Sequence, residues 1–147
     1  MAAACAHATG ARANEAACER GWAMVERGTD GAAMIQAYTS CLEGLPAGEA
    51  RAGALLVRGT VYAHLKRWEE ARADFEGAIA QRQAPDFYDY THLVHACINL
   101  RDFDCARRTL ESARAFAQGA PQQRRNGLSQ SVAVMEARLR AAEPAPR

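Results

Sequence analysis

One spacing of small and large residues occurs twice in the middle of this chain. The first copy carries Gly59, Tyr62, Ala71, Phe75 and Ala78, and the second carries Val94, Cys97, Ala106, Leu110 and Ala113. The small residues allow two helices to approach closely, and the large residues fill the space beside them. An internal repeat of this kind predicts helix pairs that pack side by side around one continuous core.

Short polar or glycine-containing breaks separate seven segments whose apolar residues recur at helical spacing. The breaks at Leu65-Lys66-Arg67 and Arg101-Asp102 are so short that they place the neighbouring helices antiparallel. Asp86 and Asp102 precede helical segments and are residue types that favour a helix start. Since no strand alternation or hairpin signal interrupts the series, the sequence predicts an all-α fold.

Two segments resemble the tetratricopeptide repeat (TPR) family. The segment RGTVYAHLKRWEEARADFEGAIAQ (Arg58 to Gln81) resembles one repeat, and HLVHACINLRDFDCARRTLESARA (His92 to Ala115) resembles a second. The segment Ala16 to Leu42 resembles a degenerate first repeat. The resemblance to a small bacterial TPR-like protein implies a short right-handed solenoid of about three repeats plus a C-terminal capping helix.

The last helical segment carries an apolar stripe made of Leu128, Val132, Met135 and Leu139. The preceding Asn126-Gly127 is expected to delay or kink this helix. The stripe either closes the last repeat or forms an interface with another copy of the chain.

The predicted organisation has three parts. Residues 1–13 form a disordered leader or the remnant of a signal peptide, residues 14–142 form the helical repeat domain, and residues 143–147 form a disordered tail. Ala11-Arg12-Ala13 has the small-x-small form of a signal-peptidase site, but the segment before it has no charged start and no leucine-rich core. The favoured localisation is periplasmic or secreted. The alternative is that the protein is cytoplasmic and has an alanine-rich leader.

Four cysteines lie at matching heights across the predicted helix hairpins. Cys97 and Cys105 flank Arg101 symmetrically, and the midpoint of Cys18 and Cys41 falls in the first turn. Residues equidistant from the turn of an antiparallel hairpin lie level, which a disulfide requires but which does not by itself establish one. We therefore predict the disulfides Cys18–Cys41 and Cys97–Cys105. Because disulfides persist in oxidising compartments, this prediction supports an exported protein. The alternative is that small apolar cysteines pack between close helices.

No sequence motif points to catalysis. His92 and His95 lie near Cys97, but a metal site would need further ligands from elsewhere. The chain has no phosphate-binding loop, nucleophile elbow or paired-carboxylate motif. Its net charge of +1 gives no basic excess for nucleic acid, and no stretch approaches the roughly 20 apolar residues of a membrane span. We expect no enzymatic activity, no cofactor, no metal, no nucleic-acid partner and no membrane span.

The resemblance implies a concave surface, made by the first helices of successive pairs, that binds a peptide or protein. The residues that it places there are Leu56, Thr60, His64, Tyr88, Thr91, His95 and Asn99. Spacing supports this, because four-residue steps connect Leu56 to Thr60 and His64, and connect Thr91 to His95 and Asn99. Tyr88 is the expected anchor because it is large, rigid and amphipathic. Some members of the family hold the C-terminus of a peptide with a carboxylate clamp of basic and asparagine side chains. Such a clamp is not supported here, because Leu56 and Thr60 occupy the positions that it uses.

The sequence therefore predicts a non-catalytic protein–protein interaction module with a peptide or protein partner. The alternative is a structural or oligomerisation module that stacks on copies of itself through its terminal helices, with the C-terminal helix as the interface.

Overall fold

The computed structural model describes residues 16–28 and 30–144. Within that part, α1 covers residues 16–27 and is followed by α2 (Gly31–Gly44), α3 (Glu49–His64), α4 (Trp68–Gln81), α5 (Phe87–Asn99), α6 (Phe103–Gly119) and α7 (Gln122–Ala142). The described residues contain no strand, and the prediction of an all-α chain is confirmed.

The chain forms two compact units, which divide between Gln83 and Ala84. The first unit contains α1 to α4, and α3 packs against both α2 and α4. The second contains α5 to α7, and α6 packs against both α5 and α7. The apolar core of the first unit includes Tyr38, Cys41, Leu42, Ala54, Leu55 and Ala78. The most buried side chains of the second unit include Leu93, Val94, Cys97, Leu110, Ala113 and Val132.

At each of the two shortest breaks, the preceding helix is terminated by a residue in the left-handed backbone region. Lys66 and Arg101 have φ values of 59° and 58°. After Lys66, the backbone N–H of Arg67 donates to the carbonyl of Tyr62 at 2.9 Å, and the equivalent bond after Arg101 measures 3.0 Å. This is the Schellman pattern, which satisfies the last carbonyls of a helix and reverses the chain. The same turn therefore makes α3–α4 and α5–α6 antiparallel pairs, as the sequence predicts.

Small residues mark the close contacts within these pairs. A Cβ atom at Gly59 of α3 would lie only 2.7 Å from Cε1 of Phe75 and 3.1 Å from Cβ of Asp74, both on α4. Ala71 in the first unit and Ala106 in the second are fully buried. Gly59 thus marks the point at which the backbone of α3 approaches α4 closely.

A largely buried ion pair connects three helices of the first unit. Nε and Nη2 of Arg58 on α3 donate to the two carboxylate oxygens of Asp74 on α4, each at 2.7 Å. Nη1 of Arg58 also donates to Oγ1 of Thr39 on α2 at 3.0 Å. The hydrogen bonds to Asp74 raise the pKa of Arg58 above its usual value. A bidentate pair is geometrically specific as well as strong, so it sets the rotation of α3 relative to its neighbours.

Aspartate side chains begin the two helices at which the sequence predicts them. Asp86 caps α5, and its own backbone N–H donates to Oδ2 of Asp89 at 2.7 Å, which completes a capping box. Oδ1 of Asp102 accepts from the backbone N–H of Cys105 at 2.9 Å at the start of α6. Both predictions are confirmed.

The last helix differs from the sequence expectation at its start. It begins at Gln122, before Asn126-Gly127, so the expected delay does not occur. A Cβ atom at Gly127 would meet nothing within 4 Å, which places this glycine at an open surface of the helix. Its cost of about 1 kcal/mol relative to alanine is small beside the packing of α7 on α6.

The apolar stripe of α7 faces its own unit. Val132 and Leu139 are buried, and Leu128 and Met135 are half-buried. On the surface, Arg114 of α6 forms an ion pair with Glu136 of α7, and Arg107 of α6 forms one with Glu143, which directly follows α7. The stripe therefore closes the second unit.

The predicted leader, residues 1–13, lies outside the described residues, and so do residues 145–147 of the predicted tail. The division of the chain into leader, repeat domain and tail remains a prediction. Among the helices of residues 16–28 and 30–144, none combines the length and the apolar character needed to cross a membrane.

We predict opposite effects for two glycine substitutions. Gly59→Ala forces a methyl group against the buried ring of Phe75, so it should lower the free energy of unfolding by about 1–3 kcal/mol. Gly127→Ala adds a methyl group in open space and should raise it by about 0.5–1 kcal/mol. Urea unfolding curves of both variants measure the difference. Equal stability of the two variants would contradict the close approach of α3 and α4 at Gly59.

Candidate functional site

An open pocket of about 390 Å³ lies between α5 and α7 in the second unit. Its apolar side chains are Phe87, Val94, Ile98, Val134 and Met135. Its polar side chains are Tyr88, Thr91, His92, His95, Ser131 and Arg138. The pocket thus combines an apolar surface with hydroxyl, imidazole and guanidinium groups.

The start of α5 holds Tyr88 at this pocket. The Asp86 cap fixes the first turn, and the buried ring of Phe87 lies 6.1 Å from the ring of Phe116 on α6, between centroids. Tyr88 follows on the next position and packs edge-on against Phe87, with centroids 6.4 Å apart. Because Phe87 is anchored inward, Tyr88 points outward, and 64% of its surface is exposed.

Two hydroxyl groups at the pocket are bonded to their own helices. Oγ1 of Thr91 donates to the carbonyl of Tyr88, and Oγ of Ser131 donates to the carbonyl of Gly127, both at 3.0 Å. A hydroxyl has one proton, so these two groups keep only lone pairs for a ligand. They can therefore accept hydrogen bonds from a bound molecule.

Arg138 of α7 brings a positive charge to this pocket. Desolvation, followed by the positive charge of Arg138, lowers the pKa of His95 below its usual value. A lowered pKa favours the neutral imidazole near pH 7. No aspartate or glutamate is among the described residues that line the pocket.

A second pocket, of about 350 Å³, lies in the first unit. It is lined by Cys18, Trp22, Tyr38, Cys41, Leu45, Ala50, Gly53, Ala54, Leu56 and Val57. Trp22 is 57% exposed, and its Nε1 donates to Glu26 at 3.1 Å. A Cβ atom at Gly53 would meet nothing within 4 Å, so the surface over α3 is open there. None of the described lining residues carries a charge.

The structure brings together some of the groove residues that the sequence predicts. Tyr88, Thr91 and His95 line the α5–α7 pocket. Asn99 lies one turn further along α5, outside that lining, and its Nδ2 donates to the carbonyl of His95 at 2.8 Å. Leu56 lines the pocket of the first unit.

Two other predicted groove residues bond to their own helix. Oγ1 of Thr60 donates to the carbonyl of Leu56 at 2.8 Å, and Nδ1 of His64 lies 2.9 Å from the carbonyl of Thr60. A single groove that joins the seven residues remains a prediction.

Sequence reasoning missed the α7 wall of the pocket. Ser131, Val134 and Arg138 follow one another at steps of three and four residues, which is the spacing of one helix face. The spacing places these residues on one face beside the apolar stripe, but it does not show which helix that face meets. Trp22 and Tyr38 in the first unit were missed as well.

Disulfides join the two cysteine pairs that the sequence predicts. The Cα atoms are 4.7 Å apart for Cys18–Cys41 and 5.8 Å apart for Cys97–Cys105. The first connects α1 to α2 and contributes to the lining of the first unit's pocket. The second connects α5 to α6 in the buried interior of the second unit.

Within the described ranges, no group of three or more His, Cys, Asp or Glu side chains is placed to hold a metal ion. His92 and His95 instead line the α5–α7 pocket.

We predict that His95 titrates below the ordinary histidine range, because desolvation and Arg138 both disfavour its charged form. Arg138→Gln should raise this pKa, whereas Arg140→Gln, on the same helix but outside the pocket, should leave it unchanged. Because the folded-state pKa is lowered, this group costs stability as the pH falls below about 6.5. An NMR titration of the imidazole signals measures the pKa. A pKa of His95 that Arg138→Gln leaves unchanged would contradict the electrostatic effect of Arg138 on this imidazole.

We predict that both disulfides form in protein produced in an oxidising compartment. In the chain-entropy model, removing Cys18–Cys41, with a sequence separation of 23, should cost about 3.4 kcal/mol. Removing Cys97–Cys105, with a separation of 8, should cost about 2.5 kcal/mol. Non-reducing peptide mapping tests the pairing, and urea unfolding of the paired Cys→Ser variants tests the energies. Free thiols at all four positions would contradict the prediction.

Comparison with known proteins identifies the fold. No family model and no curated protein matches this chain. A solved structure described as "TPR2B-domain:pHsp70-complex of yeast Sti1" matches it with a TM-score of 0.69 and 22% sequence identity, over 90% of this chain and 99% of that chain. At this level of identity the likeness concerns the fold alone. The chain therefore has the all-α fold of a TPR domain.

Proposed function

We propose that this chain is a non-catalytic module that binds a peptide or protein partner, and that the α5–α7 pocket is its main contact surface. The observation that carries the proposal is the exposure of large apolar side chains around one concave site. Tyr88 is 64% exposed and Val134 is 50% exposed, and both line this pocket. Grouped exposed apolar residues of this kind are typical of binding surfaces.

The TPR-like fold supports the proposal. The matching structure is described as a complex of its TPR2B domain with pHsp70, so that domain binds a partner. Partner binding is extended from that protein to this one as part of the proposal. TPR-type repeats offer binding surfaces of this kind without catalytic residues.

The chemistry of the two pockets indicates what each would contact. The α5–α7 pocket offers Tyr88 as a rigid amphipathic anchor and hydroxyl lone pairs for a peptide backbone. The pocket of the first unit is uncharged and suits an apolar side chain. We retain Leu56, Thr60, His64 and Asn99 as proposed contacts beside these pockets.

The oligomerisation alternative has less support. Val132 and Leu139, which would form the stacking interface, are buried in the second unit. The two disulfides support an exported, periplasmic or secreted protein, because such bonds persist in oxidising compartments.

The test uses a random-peptide display library selected on the immobilised full chain. We expect enriched peptides whose affinity falls at least tenfold with Tyr88→Ala, and falls measurably with His95→Ala. Tyr90→Ala, two positions away on α5 and outside the pocket, is the matched control and should keep its affinity. Circular dichroism and urea unfolding confirm that each variant is folded. Unchanged affinity in both pocket variants would place the binding site elsewhere.

A further inference from the structure

The α5–α7 pocket has an asymmetric charge distribution. Among the described residues that line it, Arg138 is the only Arg or Lys, and none is Asp or Glu. On the side of α7 that faces away from this pocket, Arg107 and Arg114 of α6 form ion pairs with Glu143 and Glu136, respectively. Among the described residues, no carboxylate forms an ion pair with Arg138. The pocket thus presents a cation whose charge no described side chain balances.

The hydrogen-bond donors at the pocket are also restricted. Thr91 and Ser131 donate their protons to their own helices, so they offer acceptors to a ligand. Arg138 offers several N–H donors in a planar fork that matches a carboxylate. A ligand carboxylate placed here would therefore be met by Arg138 rather than by the threonine and serine hydroxyls.

The cation lies next to the apolar surface. Val134 and Met135 precede Arg138 by four and three residues on α7, so the three side chains lie on one helix face about 5–6 Å apart. In an extended peptide, side chains two positions apart lie on the same face at about 7 Å. An apolar residue and an acidic residue at that spacing would reach Val134 and Arg138 together.

We propose that α7 selects the partner, and that the pocket takes an internal peptide segment in which an apolar side chain is followed or preceded two positions away by Asp or Glu. The inference rests on the proposed function and adds the chemistry of the partner. It differs from a carboxylate clamp in two respects. The cation belongs to the last helix, and the ligand carboxylate belongs to a side chain within the peptide.

The experiment uses a display library in which the random positions are flanked by uncharged constant segments, so that no free terminus is presented. We expect the wild-type chain to enrich peptides with Asp or Glu two positions from an aliphatic or aromatic residue. Arg138→Glu should remove this enrichment and favour Lys or Arg instead. Arg140→Glu makes the same charge change on the other side of α7, and should select the same peptides as the wild type.

Synthetic pairs of the enriched peptides, with Glu or Gln at the acidic position, measure the effect directly. We expect the Glu peptide to bind at least tenfold more tightly, which corresponds to about 1.4 kcal/mol. The Glu peptide should also raise the pKa of His95 in an NMR titration, because it places an anion beside the imidazole, and the Gln peptide should not. Among the described residues at the pocket, the other titratable groups are His92 and Tyr88 on α5 and Arg138 on α7, and His92→Gln controls for the second histidine.

Different outcomes separate this inference from the proposed function. Enriched peptides that depend on Tyr88 but carry no acidic preference would overturn the inference and leave the proposed function standing. Equal losses in Arg138→Glu and Arg140→Glu would show non-specific attraction and would also overturn it. A chain that enriches no peptide would overturn both. Self-association that Arg138→Glu abolishes, measured by sedimentation, would assign the pocket to a second copy and overturn the inference.

Discussion

The close approach of paired helices is the constraint on which the rest of the structure depends. Gly59 lies so near the ring of Phe75 that no Cβ fits without a shift, and Ala71 and Ala106 are fully buried. These residues belong to the antiparallel pairs α3–α4 and α5–α6, in which the left-handed residues Lys66 and Arg101 reverse the chain. A non-glycine residue pays a steric penalty in that region, so packing along the helices must outweigh it.

Apolar packing alone would leave the rotation of these helices weakly determined, because it has little directional preference. Hydrogen bonds, ion pairs and disulfides have a preferred direction and therefore restrict this rotation. In the first unit, Arg58 connects Asp74 and Thr39 on the two neighbouring helices. In the second, the Cys97–Cys105 disulfide connects α5 to α6 close to their turn. The face that α5 presents to α7 depends on this fixed rotation.

Features set by local chemistry or by hairpin symmetry could be predicted from the sequence. The caps at Asp86 and Asp102 need only a nearby backbone N–H. Equal distance from a turn brings the two cysteines of each pair level, which is the part of the disulfide geometry that the sequence spacing shows. The α7 wall of the pocket could not be located in this way. Whether Arg138 faces α5 depends on how α7 docks, and the sequence spacing fixes its helix face without fixing that face's neighbour.

The helices α5 and α7 bring different chemical groups to the pocket. Thr91 on α5 donates its proton to its own helix, and His95 is held towards its neutral form by its surroundings. The first helix of the pair thus offers shape, an exposed tyrosine and hydrogen-bond acceptors, which many peptide backbones can use. A group with a fixed charge discriminates between peptides by the charge they carry, and Arg138 on α7 is such a group among the described residues at this pocket. Substitutions in α7 should therefore change which peptides bind, whereas substitutions in α5 should change how tightly any peptide binds.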